Sequence, residues 1–293
     1  MYNSLEQLCK DCASLDLPIW QVIRDEDCKE SGIDAETSYS KMKELYLAMK
    51  ESDESYEADM KSPSELIGGE AELVSAARKK NNLIVGDFLG RIMERALKVA
   101  SCNACMKRIV ASPTAGSCGV VPAVLITFQE EMNLSDDKMV EALYVTAGIG
   151  GVIANRATLS GAEGGCQAEI GSASAMAAGA ICYLKGGSNE EIANAAALAL
   201  KALLGLSCDP VAGLVEVPCV KRNVIGAINA VTSADMTLCG IKSAIPADEV
   251  FDAMRNIGHC MSADIRETGI GGLAGTKTGV KIRQKVLGQT PLK

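Results

Sequence analysis

The chain has 293 residues, of which 48% are hydrophobic and 23% are charged, and its formal net charge is −8 at pH 7. The acidic charge argues against a broad nucleic-acid-binding surface, and no apolar run reaches the roughly eighteen residues of a membrane span. Twelve cysteines are many, but the opening sequence MYNSLEQLCKDC has no secretion signal, so we expect a cytoplasmic protein without a disulfide framework.

Helical patterns dominate the first part of the sequence. Apolar residues at helical spacing, with charges between them, predict an N-terminal helical segment over residues 1–60. A capping-box pattern of Ser62 or Ser64 with Glu65 predicts a helix that runs to Lys80. A further amphipathic helix is expected to begin near Asp87 and to end before a Ser-Pro pair.

Helical patterns continue to the end of the chain. Ser135 is expected to cap an apolar helix that is interrupted by glycines at 148–151, and Asn189 to cap an Ala/Leu helix. Between them lies an Ala-rich helix that ends at Gly186-Gly187. Strand patterns are nearly absent. We therefore predict an all-α fold, with a single helical domain of Ala- and Gly-rich buried helices over residues 61–293 and glycine-rich loops around its functional site.

Three cysteines share an unusual setting at junctions between loops and helices. Cys166 follows a glycine turn, Cys208 follows the end of a helix, and Cys219 follows a proline. A position at a helix N-terminus would favour the thiolate of Cys166. By their chemistry alone, the three thiols suit an iron–sulfur cluster with one open iron, a zinc ion with an open position, or a structural role.

Four long motifs carry a resemblance to a known family. The chain resembles, from about Ile67 to its end, the α chain of the iron–sulfur-dependent L-serine dehydratases (L-serine ammonia-lyases). The motifs are SPTAGSCGVVPAVL, SGAEGGCQAEIGSASAMAA, LGLSCDPVAGLVEVPCVKRN and RETGIGGLAGTKTG. The resemblance implies that Cys166, Cys208 and Cys219 bind a [4Fe–4S] cluster. It also implies a catalytic loop near the substrate, formed by Ser112, Pro113, Thr114 and Gly116.

The same resemblance implies a reaction. The open iron would act as a Lewis acid on the serine hydroxyl, a base would remove the α-proton, and the aminoacrylate would hydrolyse to pyruvate and ammonia. Arg156 or Lys221 could assist with charge. A related lyase for threonine, cysteine or D-serine remains an alternative, because one methyl or thiol group discriminates weakly. A non-catalytic zinc or structural subunit is the alternative of a different class.

The sequence departs from the family pattern at three points. Ala115 stands where the single-chain members usually carry Asn, and the TPLK end differs from their terminal cysteine, which fills the open iron site. The family's β portion has no counterpart here. We therefore expect a separate β subunit and a hetero-oligomer, in which the β chain could supply the base.

Three further signals are weaker. His259 is the only histidine, but its position near a helix end favours a cap or a surface role over general-base catalysis. The GIGGLA stretch at 269–274 follows no strand, so it is expected to be a loop facing the substrate or cluster and not a nucleotide site.

The pairs Cys9/Cys12 and Cys102/Cys105 both match C-x-x-C. Together they could form a four-thiolate zinc site, or each pair could simply share one face of a helix. Zinc ligands usually come from turns, so the second interpretation is favoured.

Overall fold

The computed structural model describes residues 2–288, which contain thirteen α-helices and no strand. The predicted all-α fold class is therefore confirmed. The helices are α1 (Leu5–Leu15), α2 (Ile19–Ser31), α3 (Ala35–Glu54), α4 (Glu70–Lys79), α5 (Gly86–Ala104), α6 (Val120–Met132), α7 (Asp136–Arg156), α8 (Gly161–Gly164), α9 (Ser172–Leu184), α10 (Asn189–Lys201), α11 (Cys219–Leu238), α12 (Ala247–Cys260) and α13 (Lys277–Leu287).

Short helical turns lie in the loops between these helices. There are 3₁₀ turns at Ala115–Ser117, Val211–Gly213 and Ala263–Ile265, and a π-helical turn at Gln167–Gly171. Within residues 2–288, no helix combines the length and the hydropathy needed to cross a bilayer. The TPLK end lies outside the described residues.

Helix α9 is the centre of the hydrophobic core. It packs against α6, α7, α10 and α11, and all of its residues except Tyr183 are buried. Its small side chains allow close approach, because a Cβ added at Gly179 would clash with Cδ1 of Ile149 on α7. The Ala- and Gly-rich composition therefore serves dense helix packing.

Helix α7 crosses its glycines without a break, so the predicted interruption at 148–151 is wrong. An added Cβ at Gly148 would clash with Ile23, and one at Gly150 would lie 3.1 Å from Sδ of Met176. Each glycine costs a helix about 1 kcal/mol relative to alanine. Packing against α2 and α9 compensates for this cost, as tertiary contacts usually do for helices.

Two helix starts test the predicted caps. The side chain of Ser135 accepts a hydrogen bond from the backbone N–H of Lys138 at 3.2 Å, which confirms that cap. Helix α10 is capped by Ser188 and not by Asn189, because Ser188 and Glu191 form a reciprocal capping box.

The helix predicted to start near Ser62 begins only at Glu70. The hydroxyl of Ser62 donates to the buried carboxylate of Glu216 at 2.9 Å, and the hydroxyl of Ser64 donates to the same oxygen. Glu65 has a left-handed backbone with φ of 63°. A contact over 150 residues away in the sequence thus replaces the predicted local cap and attaches this loop to the segment between Cys208 and Cys219.

The N-terminal helices pack on the rest of the chain. Helices α2 and α3 contact α7, and α1 contacts α10 and α12. The hydroxyl of Tyr46, a fully buried residue of α3, donates to the side chain of Gln129 at 2.6 Å. The division into residues 1–60 and 61–293 stays a prediction.

Candidate functional site

The three predicted cysteines come together from distant parts of the chain. Cys166 precedes the π-helical turn, Cys208 lies in the loop after α10, and Cys219 is the first residue of α11. All three are buried. Their sulfur atoms lie close enough to influence one another electrostatically, since Cys166 acts on Cys219 and both act on Cys208. The loop between Cys208 and Cys219 therefore brings both residues near Cys166.

Burial makes these thiols weak acids. It raises the pKa of Cys166 to about 11 and that of Cys219 to about 12, and it raises the pKa of Cys208 still further. The guanidinium of Arg222, which donates a hydrogen bond to Cys166, opposes the rise at that residue. The expectation of a favoured Cys166 thiolate is wrong, because desolvation outweighs the cation.

The three cysteines are not arranged around a single metal ion. Within residues 2–288, no group of three His, Cys, Asp or Glu side chains could hold a metal ion in the present arrangement. A four-iron cluster places each cysteine on a separate iron, so its ligands are spread more widely. A Cβ added at Gly161 would lie 3.0 Å from Sγ of Cys208 and 2.6 Å from Oε2 of Glu169. The backbone of Gly161 thus packs directly against Cys208 and Glu169, and three buried cysteines in one region are the donor type that an iron–sulfur cluster uses.

The two C-x-x-C pairs make separate contacts. The thiol of Cys9 donates to the carbonyl of Asn189 at 3.4 Å, and the thiol of Cys102 donates to the carbonyl of Ser52 at 3.3 Å. Both contacts join different helices, α1 to α10 and α5 to α3. Cys9 and Cys12 both lie in α1, whereas Cys105 follows the last residue of α5.

The loop of Cys208 is paired with the segment after α12. The backbone N–H of Cys208 donates to the carbonyl of Ile265 at 2.9 Å, and the N–H of Glu267 donates to the carbonyl of Cys208 at 2.6 Å. This is an isolated parallel bridge between Cys208 and Arg266. The GIGGLA loop follows, and the N–H of Leu273 donates to the carboxylate of Asp209 at 2.8 Å. The glycine loop therefore packs directly on the cysteine loop.

A buried ion pair anchors both loops. Arg222 donates to Oδ1 of Asp209 at 2.9 Å and to the carbonyl of Ser207 at 2.6 Å, in addition to its bond to Cys166. The two cations suggested by the sequence are engaged elsewhere, since Arg156 pairs with Asp252 and Lys221 with Glu70. Arg222 is therefore the cation at the cysteine site.

The predicted substrate loop meets the cysteines through Glu169. The hydroxyl of Thr114 donates to Oε1 of Glu169 at 2.7 Å, and the thiol of Cys208 lies 3.8 Å from Oε2. A Cβ added at Gly116 would lie 3.0 Å from Oε1 of the same carboxylate. Burial raises the pKa of Glu169, although the hydrogen bond from Thr114 opposes the rise. Ser112, which the sequence also assigns to this loop, is buried.

Asn223 holds the substrate loop against the start of α11. Its side-chain amide donates to the carbonyls of Gly116 at 2.8 Å and Cys219 at 3.0 Å. Its amide oxygen accepts from the backbone N–H of Gly119 at 2.8 Å. This single side chain therefore fixes the distance between the loop and Cys219.

Sequence reasoning missed four residues of this site. Each stands one to four residues after a predicted cysteine, inside a motif that carries the family resemblance. Position in those motifs was the only available signal, because each residue has a partner more than ten residues away in the sequence. The four residues are Glu169, Asp209, Arg222 and Asn223.

Comparison with known proteins gives consistent results. The family model described as "Serine dehydratase alpha chain" matches residues 14–274. "L-serine dehydratase, alpha chain" of Peptoniphilus asaccharolyticus is 41% identical over 289 residues, covering 98% of this chain and 99% of that protein. "Probable L-serine dehydratase, alpha chain" of Bacillus subtilis is 48% identical, covering 78% of this chain and 76% of that protein. "L-serine dehydratase" of Helicobacter pylori is 41% identical over 62% of this chain, but the match spans only 40% of that protein.

Proposed function

The chain belongs to the serine dehydratase alpha chain family, and on that premise we propose that it is the catalytic α subunit of a two-subunit L-serine ammonia-lyase. The reaction removes water from L-serine, and hydrolysis of the resulting imine gives pyruvate and ammonia. The observation that carries the proposal is the Glu169 carboxylate, which contacts both Thr114 of the substrate loop and Cys208. One site thus contains the loop and the thiols.

The cofactor of the proposal is a [4Fe–4S] cluster held by Cys166, Cys208 and Cys219. When bound, it would supply a Lewis acid that makes hydroxide a better leaving group. The burial of three cysteines, which are the usual ligands of iron–sulfur clusters, supports this assignment.

The residues around the thiols would bind and orient the amino acid. We assign the Glu169 carboxylate to the substrate ammonium, because it is the negative group beside the substrate loop and a charged hydrogen bond is strong in a partly buried site. Thr114 holds Glu169 in place through its hydroxyl. The hydroxyl of Ser112 and the amides of the loop at Gly116 are assigned to the substrate carboxylate.

A second subunit is part of the proposal. The matched relatives that this chain covers almost completely are named α chains, whereas the Helicobacter pylori protein is more than twice as long as its matched segment. This difference supports a separate β chain in the complete enzyme, which would be a cytoplasmic hetero-oligomer. If the isolated chain turned over L-serine as fast as the mixture with β, the two-subunit proposal would be wrong.

The cluster and the reaction are tested together by anaerobic purification with the β chain. We expect visible iron–sulfur absorbance, about four iron atoms per α chain and pyruvate formation from L-serine. Replacing Cys166, Cys208 or Cys219 by Ser should lower the iron content and abolish activity. The matched control is Cys182→Ser, because Cys182 is equally buried but lies in α9. A colourless protein containing zinc would contradict the proposal, and faster turnover of threonine would reassign the substrate.

The assignment of Glu169 has its own test. Glu169→Gln keeps an acceptor for Thr114 but removes the negative charge. Loss of a charged hydrogen bond costs about 1.5–3 kcal/mol, so the KM for L-serine should rise roughly 10- to 150-fold. The control is Glu163→Gln, whose carboxylate accepts from Thr158 instead. An unchanged KM in Glu169→Gln would refute the assignment.

A further inference from the structure

One cavity lies near the cysteine site and takes no part in the proposed reaction. It has a volume of about 320 Å³ between the C-terminal half of α12 and the turn that contains Gly164. Arg255 and His259 line it from α12, and Arg266 lines it from the segment paired with Cys208. Thr158 and Glu163 complete its polar lining.

Arg266 carries an unused donor at this cavity. Its Nε is buried and has no hydrogen-bond partner in the described part of the chain, while its Nη1 makes only a long bond of 3.4 Å to the carbonyl of Glu163. A buried donor without a partner is costly. The edge of a guanidinium is shaped to bind two oxygens of one carboxylate or phosphate. Because Nε is buried, the donors that Arg266 can offer in the cavity are its Nη atoms, and the long bond of Nη1 leaves that atom able to bind an anion.

The charge of the lining selects the class of anion. Arg255, whose side chain is 45% exposed, provides a second guanidinium, although Asp252 lies 3.6 Å from it. The two arginines and Glu163 leave the lining with a formal charge of +1 when His259 is neutral. Thr158 donates to the Glu163 carboxylate at 2.6 Å and fixes it in place. This balance matches one negative charge better than two.

We propose that the cavity is a binding site for a small monocarboxylate, with Arg266 and Arg255 as its anion donors. The volume corresponds to about ten water molecules at roughly 30 Å³ each, which accommodates an acid of a few carbon atoms. The ligand lies next to Gly164, two residues before Cys166, and next to Arg266, which is bridged to Cys208. The proposal does not depend on the proposed reaction, because binding requires neither cluster nor substrate.

The single histidine makes the test specific. His259 lines the cavity and is the only histidine of the chain, so its ring C–H signals in a histidine-labelled NMR sample report on this site alone. We would titrate the chain with sodium propionate, which lacks the amino and hydroxyl groups of serine. The expected result is a saturable shift of the His259 signals at constant ionic strength and pH. Arg255→Gln and Arg266→Gln should each weaken binding at least about fivefold.

The controls separate specific binding from general salt effects. Arg108→Gln removes the same charge from an arginine that is 72% exposed and pairs with Glu51, and it should leave the affinity unchanged. A linear shift without saturation, an equal shift with sodium chloride, or equal affinity in the Arg255→Gln variant would overturn the proposal. Tighter binding of inorganic phosphate than of propionate would overturn the choice of a monocarboxylate. Arg255 is on the helix surface, so this variant remains informative if Arg266→Gln does not fold.

Discussion

Asp209 offers the sharpest test of how the cysteine site is assembled. Its carboxylate accepts from Arg222 at 2.9 Å and from the backbone N–H of Leu273 at 2.8 Å. Arg222 connects Asp209 to Cys166, and Leu273 connects it to the glycine loop. Asp209→Asn keeps the size of the side chain and one acceptor, but it removes the charge that neutralises Arg222.

The expected destabilisation follows from burial. The side chains of Asp209 and Arg222 are only 5% and 16% exposed. Removing one partner of a buried ion pair costs about 3–5 kcal/mol, because the other charge is left without compensation. For a chain of this size, each kcal/mol lowers Tm by about 2–4 °C. We therefore expect Asp209→Asn to lower Tm by roughly 6–20 °C.

Thermal unfolding followed by far-UV circular dichroism measures this loss. The control is Asp252→Asn, because Asp252 pairs with Arg156 while their side chains are 32% and 25% exposed. Such partly exposed pairs contribute about 0–1 kcal/mol. If both variants lowered Tm equally, the Asp209–Arg222 pair would not be the anchor that its burial indicates. Adding Arg222→Gln to Asp209→Asn should recover part of the loss, since no buried charge then remains unpaired.

Two other predictions concern helix packing and pH. Glu94 is buried, which by itself would raise its pKa, but hydrogen bonds from Lys98 and Arg78 lower it overall. A carboxylate whose pKa is lowered in the native state stabilises the fold above its unfolded pKa, and this stabilisation is lost as pH falls through the native pKa. Urea unfolding should therefore show Glu94→Gln destabilised at pH 7 and close to wild type near pH 3. Equal losses of stability at both pH values would contradict this prediction. Gly179→Ala should lower the free energy of unfolding by about 1–3 kcal/mol through overpacking, because its Cβ would clash with Ile149. Ile149→Val removes the clashing methyl group, so the double variant should be more stable than the sum of the two single changes predicts. Strict additivity would show that the clash is relieved elsewhere.

The sequence predicted those features that depend on local periodicity and composition. The Ala-rich run of α9 is buried on nearly all sides as expected, and Ser135 caps α7. Both follow from short-range rules. A helix buries its apolar face, and the hydroxyl of an N-cap serine accepts a hydrogen bond from a first-turn N–H that has no carbonyl partner in the helix. The family motifs also identified the loops that approach each other at Cys166, Cys208 and Cys219.

Predictions failed where a distant partner decides the local structure. Ser62 matches a capping box, yet its hydroxyl is bound by Glu216, whose carboxylate is buried and needs donors. The pKa of Cys166 is raised and not lowered, because burial in the assembled site outweighs any helix-end effect. A local sequence pattern does not show which residues become buried in the folded chain. Neither the contact of Ser62 with Glu216 nor the raised pKa of Cys166 could therefore be predicted from the sequence.

Stability and site geometry have different physical origins in this chain. The core around α9 is apolar, and the hydrophobic effect that stabilises it has no preferred direction. Loss of a methyl group there lowers stability but does not change the position of a loop. The cysteine loops are positioned by directional bonds of buried polar groups, namely Asp209 with Arg222 and Asn223 with Gly116. Variants of these anchors should therefore disturb the thiols more than their stability loss accounts for. Core variants such as Gly179→Ala should leave the thiols in place at temperatures below their lowered Tm.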